Sequence, residues 1–234
     1  MMEVCHRMKR HRDRQGLLGR LLASVAVATV LLACEAPAAK TDSTGPVPKT
    51  SGKLGSKSAG KLAGWLLVAA PRMRDPNFAR TVIFLLHHDD GGAMGLIVNR
   101  PAAVEPASKL LERLTGEIPP IDNDREVRIH YGGPVQPSRG FFIHSNDYAG
   151  KGTVAVTDRV SLTNIHDILR AMASGKGPTK GFLALGYAGW SPGQLENEMK
   201  RKDWITVSPD DGLVFDDDMQ SKWQRAIAKR GADL

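Results

Sequence analysis

Cysteine is nearly absent: the 234 residues include two, Cys5 and Cys34. Both lie before residue 62, so the rest of the chain carries no thiol. That excludes a disulfide staple, a cysteine nucleophile and a Cys-based zinc site from the body of the protein. Its core depends on apolar burial, which a body of ~170 residues supplies without staples. An excess of one charge is also missing there. The formal net charge is +7, but residues 1–62 hold eleven of the 32 basic residues and four of the 25 acidic ones, leaving 21 of each in 63–234. Nonspecific DNA binding is driven by Lys and Arg neutralising phosphates and releasing counterions. The body is electrically balanced and is not expected to take nucleic acid as a partner. Long apolar runs are lacking too. Leu21–Leu32 is an uncharged stretch of 12 residues, short of the ~20 needed to span a bilayer as a helix.

What stands at the front has a different meaning. A basic segment followed by a short apolar run has the layout of a secretory signal. Its end, Leu31-Leu32-Ala33-Cys34, resembles the lipobox of bacterial lipoproteins, in which the cysteine is acylated and becomes the mature N-terminus. Residues 1–33 are therefore expected to be a signal peptide, starting at Met1 or Met8, with Cys34 the lipidation site. Such a chain is held on a membrane surface without crossing it, which places it in the cell envelope. The alternative is a cytosolic protein with a misplaced start. Residues 34–62 are rich in Lys, Ser, Gly and Pro and read as a disordered tether. Within them Gly55-Ser-Lys-Ser-Ala-Gly60-Lys61-Leu62 nearly spells a phosphate-binding loop. Leu62, however, stands where a Mg²⁺-holding hydroxyl is required, and no strand precedes it.

From residue 63 onward, patterning predicts a single α+β domain. Trp65–Ala70 and Thr81–Leu86 read as strands, the second apolar on both faces and so central. Asp89-Asp90-Gly91-Gly92 is hairpin chemistry leading into Met94–Val98. Leu110, Leu111 and Leu114 mark a helix beginning near Pro106. Val127–Tyr131 and Phe141–His144 read as strands around Gly132-Gly133-Pro134. Thr153–Val156 is a further strand. A helix follows with Ile165, Ile168, Leu169 and Met172 on one face, stopped by Gly175. Gly181–Tyr187 is a strand. Ser191–Lys202 is a helix with Glu196/Lys200 and Glu198/Lys202 as surface pairs. Two short strands then precede a closing helix around Trp223, Ala226 and Ile227, ending at Gly231. Strands occur in runs without βαβ alternation.

Two motifs invite catalysis. Gly189-Trp190-Ser191-Pro192-Gly193 matches the G-x-S-x-G nucleophile elbow between strand and helix. The oxyanion hole of that fold uses the N–H after the serine, and Pro192 has none. The base should follow the serine, yet the last histidine is His166. The same residues satisfy a capping box, with Ser191 as N-cap, Pro192 at N1 and Gln194 at N3. A serine hydrolase using Ser191 is thus the weaker alternative. His87-His88-Asp89-Asp90 resembles a ligand cluster, but adjacent residues on a strand face opposite ways. No metal is expected there. The sequence leaves open whether His130 and His144 meet across a sheet. Gly132 and Gly133 followed by Arg139 offer backbone donors and a guanidinium to an anion. Tyr187 and Trp190, beside Gly186 and Gly189, offer aromatic walls where a backbone is approached closely.

Taken in order, several stretches resemble the YqgE/AlgH family of bacterial proteins. They are Asp75-Pro76-Asn77-Phe78, Gly92–Pro101, Gly132–Phe141, Leu185–Trp190, Gly193-Gln194-Leu195-Glu196 and Asp203-Trp204. The resemblance implies an α+β fold around a bulged, coiled antiparallel or mixed sheet with peripheral helices. It implies no established reaction, and no cofactor is expected. Some members carry a transcriptional-regulator label linked with alginate control, though no DNA-binding motif belongs to the pattern. Members are typically cytosolic and lack a lipobox, so the leader departs from them. The expectation is a non-enzymatic binding or regulatory domain tethered through Cys34. Its partner is a small ligand or a protein, met by Asn99, Gly132, Gly133, Arg139, Tyr187 and Trp190.

Overall fold

The structure is a computed structural model and describes residues 62–208 and 210–230. The signal peptide, Cys34, the phosphate-loop lookalike up to Lys61 and the stop at Gly231 lie outside the described residues.

Strands β1 (Leu66–Ala69), β2 (Val82–Asp89) and β3 (Gly92–Ile97) form an antiparallel meander. Asp90-Gly91 closes the β2–β3 hairpin as its composition predicts. Edge strand β4 (Pro101–Pro106) leads into α1 (Ala107–Thr115), then β5 (Glu126–Tyr131) returns beside β4. After β6 (Val135–Ser145), β7 (Val154–Ala155) and β8 (Val160–Thr163) comes α2 (Ile165–Ala173). Strand β9 (Gly181–Trp190), α3 (Gln194–Lys200), β10 (Trp204–Val207), α4 (Asp211–Phe215) and α5 (Lys222–Lys229) complete the order. The ten strands make one curled sheet in the order β10-β1-β2-β3-β9-β6-β8-β7, with β4 and β5 joined through β9. Nearly all pairs are antiparallel; β5 and β9 run parallel. The fold is α+β in a single domain, as the composition and patterning predict.

Strand β9 is the hub. Its first half pairs with β5, its last residues with β3, and β6 lies along its other edge. To pass from β5 to β6 the chain must therefore cross over β9. It does so at Gly132-Gly133, directly against Gly186 and Tyr187. A Cβ on Gly133 would sit deep inside the Tyr187 carbonyl, and one on Gly186 would meet the Gly133 carbonyl. Gly132 is tied on both sides: its N–H donates to Leu185 O at 2.7 Å and its carbonyl accepts from Ile97 N at 2.9 Å. After the crossing, β6 bulges between Val135 and Gly140 before rejoining β9.

Alternation along β2 divides the core. Val82, Phe84 and Leu86 face a cluster covered by α4 and α5, while Ile83 and Leu85 face another with Trp190, Leu195 and Trp204. A third cluster sets α1 and α2 over Val127, Ile129, Phe142 and Leu183. Helix α2 is capped by Asn164, whose side chain accepts from His166 N at 2.9 Å, and Gly175 ends it in the left-handed region at φ 70°.

Several expectations need correction. Ser191 is not the helix cap: α3 begins at Gln194 behind Gly193, and only half of the capping box forms, Ser191 N–H donating to Gln194 Oε1 at 3.0 Å. Glu196 turns to His88 and Glu198 to two indoles, instead of pairing with Lys200 and Lys202. One of the two short late strands is a helical turn, α4. Leu114 is half-exposed, and Leu62 packs on the core where a tether was expected.

Candidate functional site

The six residues expected to form one binding surface are distributed over different tasks. Asn99 clamps backbone: its Oδ1 accepts from Val82 N at 2.9 Å and its Nδ2 donates to Arg80 O at 2.9 Å. Gly132 and Gly133 make the chain crossing, and Gly132 is bonded on both sides. Trp190 is 7% exposed and its Nε1 donates to Glu198 Oε2 at 2.9 Å. Tyr187 packs against the cluster on the α4/α5 side, whereas Trp190 belongs to the cluster under α3. Gly133 lies against the Tyr187 main chain, and Arg139 reaches Tyr187 through Phe141: the guanidinium lies 5.0 Å over the Phe141 ring, which meets Tyr187 edge-on at 5.9 Å.

The histidines divide likewise. His87 pairs with Asp89 at 2.9 Å and His88 with Glu196 at 2.7 Å. Among the described residues no group of three or more His, Cys, Asp or Glu is arranged to hold a metal ion. A carboxylate on His88 Nε2 would leave Nδ1 as the basic atom, but Nδ1 is buried and hydrogen-bonds to nothing, Ser191 included. The geometry gives no support to a hydrolase at Ser191.

His130 and His144 are kept apart by β9 and project from opposite faces of the sheet. Both are fully buried. His144 is satisfied by Thr163 Oγ1 at 2.7 Å and Ser145 O at 2.8 Å. The His130 ring stacks on Phe182 at 4.3 Å, with the Val98 carbonyl as its main-chain neighbour. Burial, reinforced by the positive charges of Arg128 and Lys222, lowers its pKa to about 4. A histidine depressed in the folded state loses stability as pH falls from the unfolded value near 6.5 towards 4. The loss is about 3 kcal/mol, from ~1.4 kcal/mol per unit. His130→Met is expected to remove that part of the acid sensitivity, seen as a flatter urea midpoint between pH 7 and pH 4. An unchanged slope would show that another group carries it.

His130 marks the back of a polar cluster that opens into a cleft. Alternation on β5 sends Val127 and Ile129 to the α1/α2 core, and Arg128 with His130 to the other face. Arg128 Nη2 donates to Gly181 O at 3.3 Å and Phe215 O at 3.1 Å, while Nη1 pairs with the Asp217 carboxylate. Behind it lies Lys222, fully buried, its Nζ donating to Asp216 O at 3.1 Å and Val214 O at 3.4 Å. Desolvation lowers the pKa of Lys222 and the facing Asp216 carboxylate opposes that. The cleft, about 660 Å³, lies between the α2–β9 connection and residues 211–217, with Val104 exposed on its wall and Phe142, Met172 and Phe215 buried beneath it. Arg125 stitches the wall by donating to the carbonyls of Gly177 and Pro178 at 3.1 and 2.5 Å.

The profile of the AlgH-like family matches residues 66–234, nearly the whole described domain. The chain belongs to the AlgH-like family. A UPF0301 protein from Bradyrhizobium diazoefficiens is 46% identical over 199 residues, covering 82% of this chain and 90% of that one. One from Cereibacter sphaeroides is 44% identical over 173 residues, covering 74% and 93%. The solution structure of the AlgH protein from Pseudomonas aeruginosa is 36% identical and superimposes with a TM-score of 0.62 over 76% of this chain and 93% of its own. A Corynebacterium diphtheriae protein, 20% identical with a TM-score of 0.56, shares the fold. In AlgH-like terms, the stretches that suggested the family are mostly structural in this chain: the Gly-Gly-Pro segment makes the crossing, and the two tryptophan motifs meet at Glu198. Arg128 was not anticipated. The signal for it was present, since Val127-Arg128-Ile129-His130 alternates so that a cation and a histidine share one face of a buried strand. No helix among the described residues is long and apolar enough to cross a membrane.

Proposed function

We propose that this AlgH-like chain is a non-enzymatic binding domain, held at an envelope membrane by acylated Cys34, whose ligand enters the cleft at Arg128. The carrying observation is the cleft's construction: a guanidinium fixed by two main-chain carbonyls stands in a cleft of about 660 Å³ with the exposed Val104 on its wall. Pre-positioned donors lower the entropy cost of binding. The Arg139–Phe141–Tyr187 stack, part of the surface expected from the sequence, is a second contact face for a protein partner.

Amide NMR of the full chain with a panel of small aromatic acids, amides and alcohols tests the cleft. Shifts clustering at Thr179, Gly181, Gly212 and Asp216 are expected. Shifts confined to another face would overturn the assignment, and consumption of a compound that stops in Arg128→Gln would overturn the non-enzymatic role. For the tether, mass spectrometry of the membrane-extracted protein is expected to show Cys34 as an acylated N-terminus. An intact leader without lipid would refute it.

A further inference from the structure

Residues 210–218 carry five aspartates, and each meets a cation or an N–H of the domain. Asp210 pairs with Lys229 at 2.5 Å and caps Leu213; Asp211 meets Arg159 at 3.1 Å; Asp216 faces Lys222 and Arg225; Asp218 caps Ser221 and meets Arg225. Asp217 differs. Its side chain is 84% exposed against 25% for Arg128, its one described partner. It lies on an irregular segment just after α4 and sits at the mouth of the cleft.

The two sides of this pair are unequally fixed. Arg128 is held by carbonyls from β9 and α4, so its guanidinium stays in place whether or not Asp217 is present. Asp217 has solvent as its alternative, and an exposed ion pair is weakly favourable. A carboxylate arriving through the cleft would find the same Nη1 donor that Asp217 occupies, while Nη2 stays on its two carbonyls. It would also bring its non-polar body against the exposed Val104 of the cleft wall. Behind Arg128, the buried Lys222 ammonium adds positive charge, shared with the Asp216 carboxylate.

We infer that Asp217 is a built-in occupant of a carboxylate-binding site at Arg128, exchanged for the carboxylate of a small ligand. This rests on the cleft being the ligand-accepting surface, and the two are separable by experiment. The full chain is titrated with benzoate and with its neutral isostere benzamide, following the amides of Thr179, Gly181 and Asp217. Benzoate is expected to bind, and Asp217→Asn to tighten it on the order of five-fold by removing the competing carboxylate. Arg128→Gln should abolish benzoate binding and leave benzamide unaffected. Should that variant fail to fold, Asp217→Asn, an exposed substitution, decides alone. Benzoate affinity unchanged or weakened in Asp217→Asn overturns the exchange; if benzamide still shifts the same amides, the cleft survives without it. Neither probe reaching the cleft removes both.

Discussion

Gly133→Ala is expected to unfold the domain or cost it about 4 kcal/mol or more, at the upper end for a single substitution. Adding a methyl to a packed interior usually costs ~1–3 kcal/mol because side chains shift to make room. Here the atoms in the way are the carbonyl group of Tyr187 and the nitrogen of Ala188, all main chain. Moving them would break the pairing of β9 with β6 on one edge and with β3 and β5 on the other. Gly186→Ala approaches the same crossing from the opposite side, meeting the Gly133 carbonyl. The double variant should cost less than the sum, since both act on one contact. Gly116→Ala is the control. It has a left-handed φ of 73° but nothing within 4 Å of a new Cβ, so backbone strain of ~1 kcal/mol is its whole cost. Urea unfolding of the three variants reads the difference directly. Equal losses at Gly133 and Gly116 would mean that the crossing is looser than described.

The crossing also explains what the sequence could and could not convey. Strands buried on both faces, such as β2, announce themselves by uninterrupted apolar residues, and α2 by its spacing and its Gly175 stop. Edge strand β4 is hidden because Pro101 and Pro106 bracket it, and proline is tolerated where the outer N–H groups are unpaired. The first half of β6 is hidden for a similar reason: Pro137 and the bulge between Val135 and Gly140 break its alternation. The glycines were visible as special, yet a glycine needed for close backbone approach and one needed to cradle an anion look identical in a sequence. Only the path of β9 between them decides. Arg128 was overlooked because an arginine on a strand is ordinarily a solvated residue. Its role depends on residues 181, 215 and 217, distant in the chain.

Glu198→Leu is expected to be the most damaging change outside the glycine crossing, at roughly 3–5 kcal/mol. Trp190 and Trp204 lie on β9 and β10, at 7% and 5% exposure, their rings crossing edge-on at 5.8 Å. Both indole N–H groups donate to one oxygen of Glu198, at 2.9 and 2.7 Å, while Gln194 donates to the other at 2.9 Å. One carboxylate thereby joins α3 to two strands. Hydrogen bonds to a charged acceptor contribute ~1.5–3 kcal/mol each, and a buried donor left without a partner costs a comparable amount. Leucine fills the volume but satisfies neither indole, so the loss is electrostatic and not a cavity effect. Glutamine keeps one carbonyl oxygen where both N–H groups converge and should cost about half as much. With domain stabilities of ~5–15 kcal/mol, the leucine variant shifts the urea midpoint far enough to read by tryptophan emission. A leucine variant within ~1 kcal/mol of the parent would show that the indoles find water instead, and that packing on Leu195 holds the helix in place.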